Sequence, residues 1–195
     1  MTTYIPAFTL STAIFQSPAA SILLPVTLGT GVGYLTGPHR YIGLLGSQNK
    51  KTYLSLKQPP LSPPAWVFAP VWTVLYGLMG YSAYRVTMIG LSPFSSPQTI
   101  QLTRQSLTLY TAQLALNLIW TPIFFFAKRP VEATVDITTL VGLNVYLTYL
   151  WSQIDSVSAY LHLPYLGWLG FATYLCSGVG YLNGWDLRTP EEKRE

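Results

Sequence analysis

The chain has 195 residues and a formal net charge of +4; half of its residues are apolar, 14% are aromatic and only 9% are charged. A soluble domain carries about 25% charged residues, so a water-facing globular surface is excluded for most of the chain. The basic residues neither cluster on one helix nor interleave with stacking aromatics, which excludes a nucleic-acid surface.

No Asp, Glu, Lys or Arg occurs in Met1–His39, Gln58–Tyr84, Gln105–Ala127, Ile137–Ile154 or Ser156–Trp185. A helix needs about 20 apolar residues to cross the hydrocarbon core, and a central charge costs about 2.5–3.5 kcal/mol on insertion scales. These windows predict an all-α membrane protein, a single-domain bundle of five transmembrane helices. The first span, about 19–36, carries Gly29 and Gly33, with Gly37 just beyond it. Small residues at four-residue intervals let helix backbones approach closely in lipid, within the chain or against a second copy. The N-terminus has no basic residue ahead of its apolar stretch, which argues against a cleaved secretory signal and an Arg-rich presequence.

A hydrophilic loop follows and ends in "KQPPLSPP". Pro59, Pro60 and Pro63 predict a stiff extended segment there, Ser62 is a candidate N-cap, and Pro64 suits a first helical turn. The second span, about 65–88, places Phe68, Trp72, Leu75 and Tyr76 on one face. It also carries the small residues Ala69, Thr73 and Gly77 at four-residue spacing. Pro70 is expected to kink this span against the Trp66 carbonyl, and Pro122 to do the same against Leu118 in the third. The window 86–103 is also charge-free, but the prolines and hydroxyls of "SPFSSPQT" predict a loop. The third span is about 107–126, the fourth about 133–151 with Pro130 as its start signal, and the fifth about 163–183, opening with Pro164. Residues 184–195 form a charged tail. An odd span count, with no internal repeat, argues against duplicated transporter halves.

With five spans, one side of the membrane collects Arg40, Lys50, Lys51, Lys57, Lys128, Arg129, Arg188, Lys193 and Arg194, and the other only Arg85 and Arg104. The positive-inside rule then puts the first loop and the C-terminus in the cytosol.

The chemistry-bearing residues are few. Lys128, Glu132 and Asp136 share a helix face if the helix includes all three, and carboxylates near a helix start are favoured by its dipole. His39 and His162 are expected in or beside loops on opposite sides, so no shared metal or dyad arises, and lone Cys176 forms no disulfide. Asn117 inside a span either bonds across helices or faces a ligand cavity. Trp66, Trp151 and Trp185 fall near span ends, where indole belts anchor. Trp72, Trp120 and Trp168 sit inside the spans. Two kinked, aromatic helices either enclose a cavity or simply pack.

Three blocks, "LSLKQPPLSPPAWVFAPVWTVLYGLMGYSAY" (54–84), "QLALNLIWTPIFFFAKRPVEATVD" (113–136) and "PYLGWLGFATYL" (164–175), resemble the translocator protein or tryptophan-rich sensory protein family (TspO/MBR), also called the peripheral benzodiazepine receptor. The resemblance implies a five-helix membrane bundle, often a homodimer, with a cavity opening toward the first loop. It implies binding of the tetrapyrroles protoporphyrin IX and haem, with sterols such as cholesterol as a second ligand class. Carried onto matching positions, the ligand-binding residues are Ala69, Val71, Trp72, Asn117, Trp120, Val135, Trp168, Phe171, Ala172 and Leu175. The glycines Gly29, Gly33 and Gly37 are the candidate dimer face. No cofactor is required and no metal site is implied; the tetrapyrrole is ligand. The chain departs from the family at Thr52 and Leu61, each in place of a tryptophan, at Glu132, and over Ser177–Tyr181, where the sterol motif is incomplete.

The resemblance implies a receptor or carrier in a lipid bilayer, in the outer mitochondrial membrane of a eukaryote, with endoplasmic reticulum or plasma membrane as alternatives. A second reading is a light- and oxygen-dependent protoporphyrin-degrading enzyme using Trp72 and Trp168. A third is a dimeric scaffold or channel partner.

Overall fold

A computed structural model describes residues 9–36 and 56–188. Gly37, His39, Arg40, Lys50, Lys51, Thr52, Lys193 and Arg194 lie outside the described residues. The described residues are mostly helical: α1 (Thr12–Gln16), α2 (Pro18–Thr36), a 3-10 turn (Ala65–Val67), α3 (Phe68–Gly90), α4 (Pro97–Thr121), a π turn (Pro122–Phe126), α5 (Pro130–Ser152) and α6 (Ser156–Leu182). Two stretches among the described residues, Pro18–Leu35 and Pro97–Phe126, are long and apolar enough to cross a membrane. Helices α3, α5 and α6 span 23, 23 and 27 residues but mix tyrosine, tryptophan, threonine and asparagine into their apolar runs.

The long helices close a ring in which α2 packs on α3, α3 on α6, α6 on α5, α5 on α4 and α4 back on α2. At the α2–α3 contact, Gly80 leaves no room for a side chain beside the Ser21 carbonyl. Pro25 cannot donate to that carbonyl, and Ser21 Oγ donates to the Gly80 carbonyl at 2.6 Å. Gly29 likewise abuts the Tyr76 ring, and Gly90 abuts Thr103. Gly33 and Gly77 have open space where a side chain would go.

Several sequence expectations need correction. The window 86–103 is mostly helix, with only Leu91–Ser96 connecting α3 to α4. Ser96 caps α4 by accepting from the Thr99 amide at 3.1 Å, and Pro97 occupies the first turn, where its missing N–H costs nothing. α6 starts at Ser156 rather than at Pro164, because Asp155 caps it by accepting from the Ser158 amide at 3.1 Å. Pro164 therefore lies inside the helix. Pro70 does not kink an α-helix interior: α3 begins at Phe68, so Pro70 falls in a first turn whose amides lack intrahelical partners anyway. Pro122 does end regular α-helix, and the chain continues in a π turn in which the Ala127 amide donates to the Pro122 carbonyl at 2.9 Å. Pro130 begins α5, as its start signal predicts.

The proline segment turns at Pro60 and Leu61, where Leu61 takes φ 66°, instead of running straight. Ser62 is not a cap; its hydroxyl donates to the Pro59 carbonyl at 2.8 Å. Lys128 sits at φ 55° ahead of α5, so it shares no helix face with Glu132. Glu132 pairs with Arg129 at 3.2 Å.

Candidate functional site

The seam between α3 and α6 is lined by aromatics. Phe68 meets Trp168 edge-on with ring centroids 5.9 Å apart, and Trp72 lies 6.1 Å from Tyr165 in the same manner. Trp72 also leans on Tyr76 at 5.3 Å, and Trp168 on Phe171 at 5.6 Å. Helical spacing explains this: Phe68, Trp72 and Tyr76 recur every four residues on α3, while Tyr165 and Trp168 lie three apart on α6. Trp72 and Trp168 are both half-buried. The Trp168 indole N–H is enclosed and has no protein partner. Val71, Ala172 and Leu175 are half-buried, and Ala69 is exposed in the first turn of α3.

A polar spine runs from this seam into the bundle. Tyr76 donates to Asn117 Oδ1 at 2.5 Å, Asn117 Nδ2 donates to the Tyr165 hydroxyl at 3.1 Å, and Tyr165 donates to Gln113 Oε1 at 3.0 Å. Asn144 Nδ2 reaches the same Gln113 oxygen at 3.5 Å, and His162 Nε2 meets Asn144 Oδ1 at 3.0 Å. All six residues are buried, so each bond spares a polar group a costly exposure to apolar surroundings. Asn117 bonds across helices and borders the tryptophan seam through Tyr76 and Tyr165.

His162 is thus a core residue of α6, fully buried, and not a loop residue. The early start of α6 moves it one turn and more inside the helix. Trp151 is likewise no belt residue: it is 0% exposed, stacked 6.0 Å from Tyr110 and 4.7 Å from His162. The short turn into α6 folds the end of α5 inward there. Trp66 and Trp185 are exposed. Composition alone did not single out Gln113, Asn144 or Tyr165. The available signal was spacing, since Gln113 and Asn117 are four apart and His162 and Tyr165 three apart.

The remaining sequence-assigned residues sit elsewhere. Trp120 donates to the Ala133 carbonyl at 3.1 Å and stacks on Phe124 at 5.0 Å, tying the π turn to α5. Val135 is 62% exposed and faces outward. It lines a shallow groove of about 370 Å³ with Leu116, Val131, Glu132, Asp136 and Thr139. The structure therefore separates Val135 from Trp72 and Trp168.

The proline segment is strapped onto the C-terminal half of α6. Asn183 Oδ1 accepts from the Lys57 amide at 3.1 Å while its Nδ2 donates to the Lys57 carbonyl at 3.0 Å. Tyr174 donates to the Pro60 carbonyl at 2.9 Å, and Pro59 fills the space beside Gly178. At the other end of α6, Arg85 pairs with Asp155 through Nε at 2.9 Å and Nη2 at 3.2 Å. Burial by itself would raise the Asp155 carboxyl, but hydrogen bonds from Arg85 and Ser158 hold it below the usual range. Among the described residues no group of three or more His, Cys, Asp or Glu side chains is placed to hold a metal.

Among the described residues, a ring of long helices with an aromatic seam and an interior amide–phenol spine defines an all-helical bundle. The TspO/MBR family model matches residues 21–182, and the chain belongs to this family of membrane proteins. It is 37% identical over 158 residues to the translocator protein of Homo sapiens, covering 81% of this chain and 85% of that protein. It is 34% identical to the translocator protein homolog of Schizosaccharomyces pombe, covering 88% and 95%. The tryptophan-rich protein TspO of Archaeoglobus fulgidus is 33% identical, with 84% and 95% covered. Membership supports a membrane receptor- or transporter-type role.

Proposed function

We propose that the chain is a five-span membrane receptor or carrier for tetrapyrroles, protoporphyrin IX and haem, with sterols as a second ligand class. The observation that carries this reading is the placing of half-buried Trp72 and Trp168 on one seam, each edge-on to an aromatic ring of the facing helix. A flat, apolar macrocycle gains from stacking on indoles beyond the area it buries. The unpartnered Trp168 N–H supplies a polar group that orients such a ligand, in keeping with an apolar pocket bearing few polar anchors. The excess of basic residues on the first loop, the α4–α5 connection and the tail supports a cytosolic C-terminus. The strap of Lys57–Pro60 then lies at the cytosolic mouth, and Gly33, with open space at its Cα, offers a face for a second copy. The family supports an outer mitochondrial membrane if the source is eukaryotic.

Two tryptophans on one seam also favour a second reading, light- and oxygen-dependent breakdown of protoporphyrin. Both readings are tested by titrating protoporphyrin IX into the protein in nanodiscs, then illuminating the complex and following absorbance. Saturable binding with an unchanged porphyrin spectrum supports the receptor. Bleaching that disappears in Trp72→Phe and Trp168→Phe supports the enzyme. Absence of saturable binding overturns both.

A further inference from the structure

Where α5 turns into α6, four deeply buried side chains keep polar atoms without a protein partner: Tyr110 OH, Gln113 Nε2, Trp151 Nε1 and His162 Nδ1. They form one cluster. The Tyr110 and Trp151 rings stack at 6.0 Å, and the Trp151 and His162 rings meet at 4.7 Å. His162 joins Gln113 through the Asn144 amide. A buried polar atom left unpaired costs about 1–3 kcal/mol, so four within one cluster of touching side chains call for an occupant.

The donor pattern selects its chemistry. Asn144 Nδ2 donates to the Leu140 carbonyl at 2.8 Å, which turns Oδ1 toward His162. His162 Nε2 therefore donates, and in a neutral imidazole Nδ1 is left as a bare acceptor. A proton on Nδ1 as well would bury an imidazolium away from water. Gln113 Oε1 already accepts from Tyr165, so its free N–H groups are donors. The Trp151 indole is a donor only. An anion meets the His162 lone pair, and a cation meets the Gln113 and Trp151 donors; neither is matched. A neutral molecule that both accepts and donates satisfies the set, and the close ring contacts restrict it to a very small one.

We infer that Tyr110, Gln113, Trp151 and His162 enclose an internal water site at the α5–α6 turn. Water accepts from the Trp151 indole and the Gln113 amide and donates to His162 Nδ1, with the Tyr110 hydroxyl completing its bonds, in line with the two to four partners a buried water takes. The site adjoins the tryptophan seam through Tyr165, which meets both Gln113 and His162, but its test uses no tetrapyrrole and so is read apart from that proposal.

The test is water-edited proton NMR on the full-length, isotopically labelled protein in deuterated-lipid nanodiscs without added ligand. Expected are transfer from water to the Trp151 indole proton and the Gln113 amide protons, and a His162 ring in the Nε2–H tautomer. A dry cluster, with neither group receiving transfer, overturns the inference, and so does a His162 ring protonated at Nδ1.

Discussion

The phenol of Tyr76 donates to Asn117 Oδ1 at 2.5 Å while its ring occupies the space that Gly29 leaves open. One side chain on α3 thereby couples α2 by packing and α4 by hydrogen bonding. Gly29 is thus committed to a contact within the chain, and Gly33, four residues on, is not.

A methyl group separates these roles. Gly29→Ala drives the Tyr76 ring away and is expected to destabilise the protein by about 1–3 kcal/mol, the usual cost of overpacking. Gly33→Ala meets open space and should stay within about 0.5 kcal/mol. Thermal unfolding of both variants in the same detergent checks this; equal losses would refute the intrachain role of Gly29.

Removing the Tyr76 hydroxyl tests the spine. Tyr76→Phe keeps the ring against Gly29 and leaves Asn117 Oδ1 without its donor, at a cost of about 1 kcal/mol for an interhelical bond in a bundle. Asn117→Leu strands the Tyr76 hydroxyl and removes the amide that donates to Tyr165, and it should cost more, about 1–3 kcal/mol. The reverse ranking in unfolding midpoints would mean that the spine is not continuous.

Asp155 ties α3 to the start of α6 through Arg85 and caps the helix through Ser158. Its folded carboxyl lies below its unfolded range of about 3.9. The stabilisation is therefore complete above about pH 4 and is lost as pH falls through the folded value. Asp155→Ala should lower the midpoint at pH 7 by an amount worth about 1–3 kcal/mol, cap included. That deficit should narrow below pH 4. A deficit independent of pH would assign the loss to packing instead.

The strap is held by a two-way amide clasp between Asn183 and Lys57. Asn183→Ala removes both bonds, and about 1–2 kcal/mol of lost latch energy corresponds to roughly 5–30-fold more opening. Trypsin cleavage after Lys57 should accelerate by that factor, and bound protoporphyrin should dissociate faster. Unchanged cleavage would show that Pro59 against Gly178 suffices to hold the strap.

Much of this was open to reading from sequence because the membrane imposes its pattern on composition. The charge-free windows locate the helices, and Pro130 marks the start of α5 one turn before the estimated span. The ends misled where short side chains cap. Ser96 and Asp155 each satisfy an amide of the first turn, so α4 and α6 begin about ten and seven residues earlier than the oily stretches suggest. Hydropathy measures affinity for lipid and is blind to helix that runs beyond the apolar stretch.

The same limit explains the site. Sequence alone placed aromatics at helical spacing on α3 and a tryptophan within α6, together with one amide on α4 and a family resemblance that pointed to tetrapyrroles. Tertiary structure decided that Trp72 and Trp168 meet one seam, and that Val135 faces an outer groove. It also drew Trp151 and His162 inside, where the estimated span ends had put one in an indole belt and the other beside a loop. Spacing determines which face of a helix a residue occupies; the direction that face takes is set by the neighbours it packs against, and here Gly29, Gly80 and the α5–α6 turn set those neighbours.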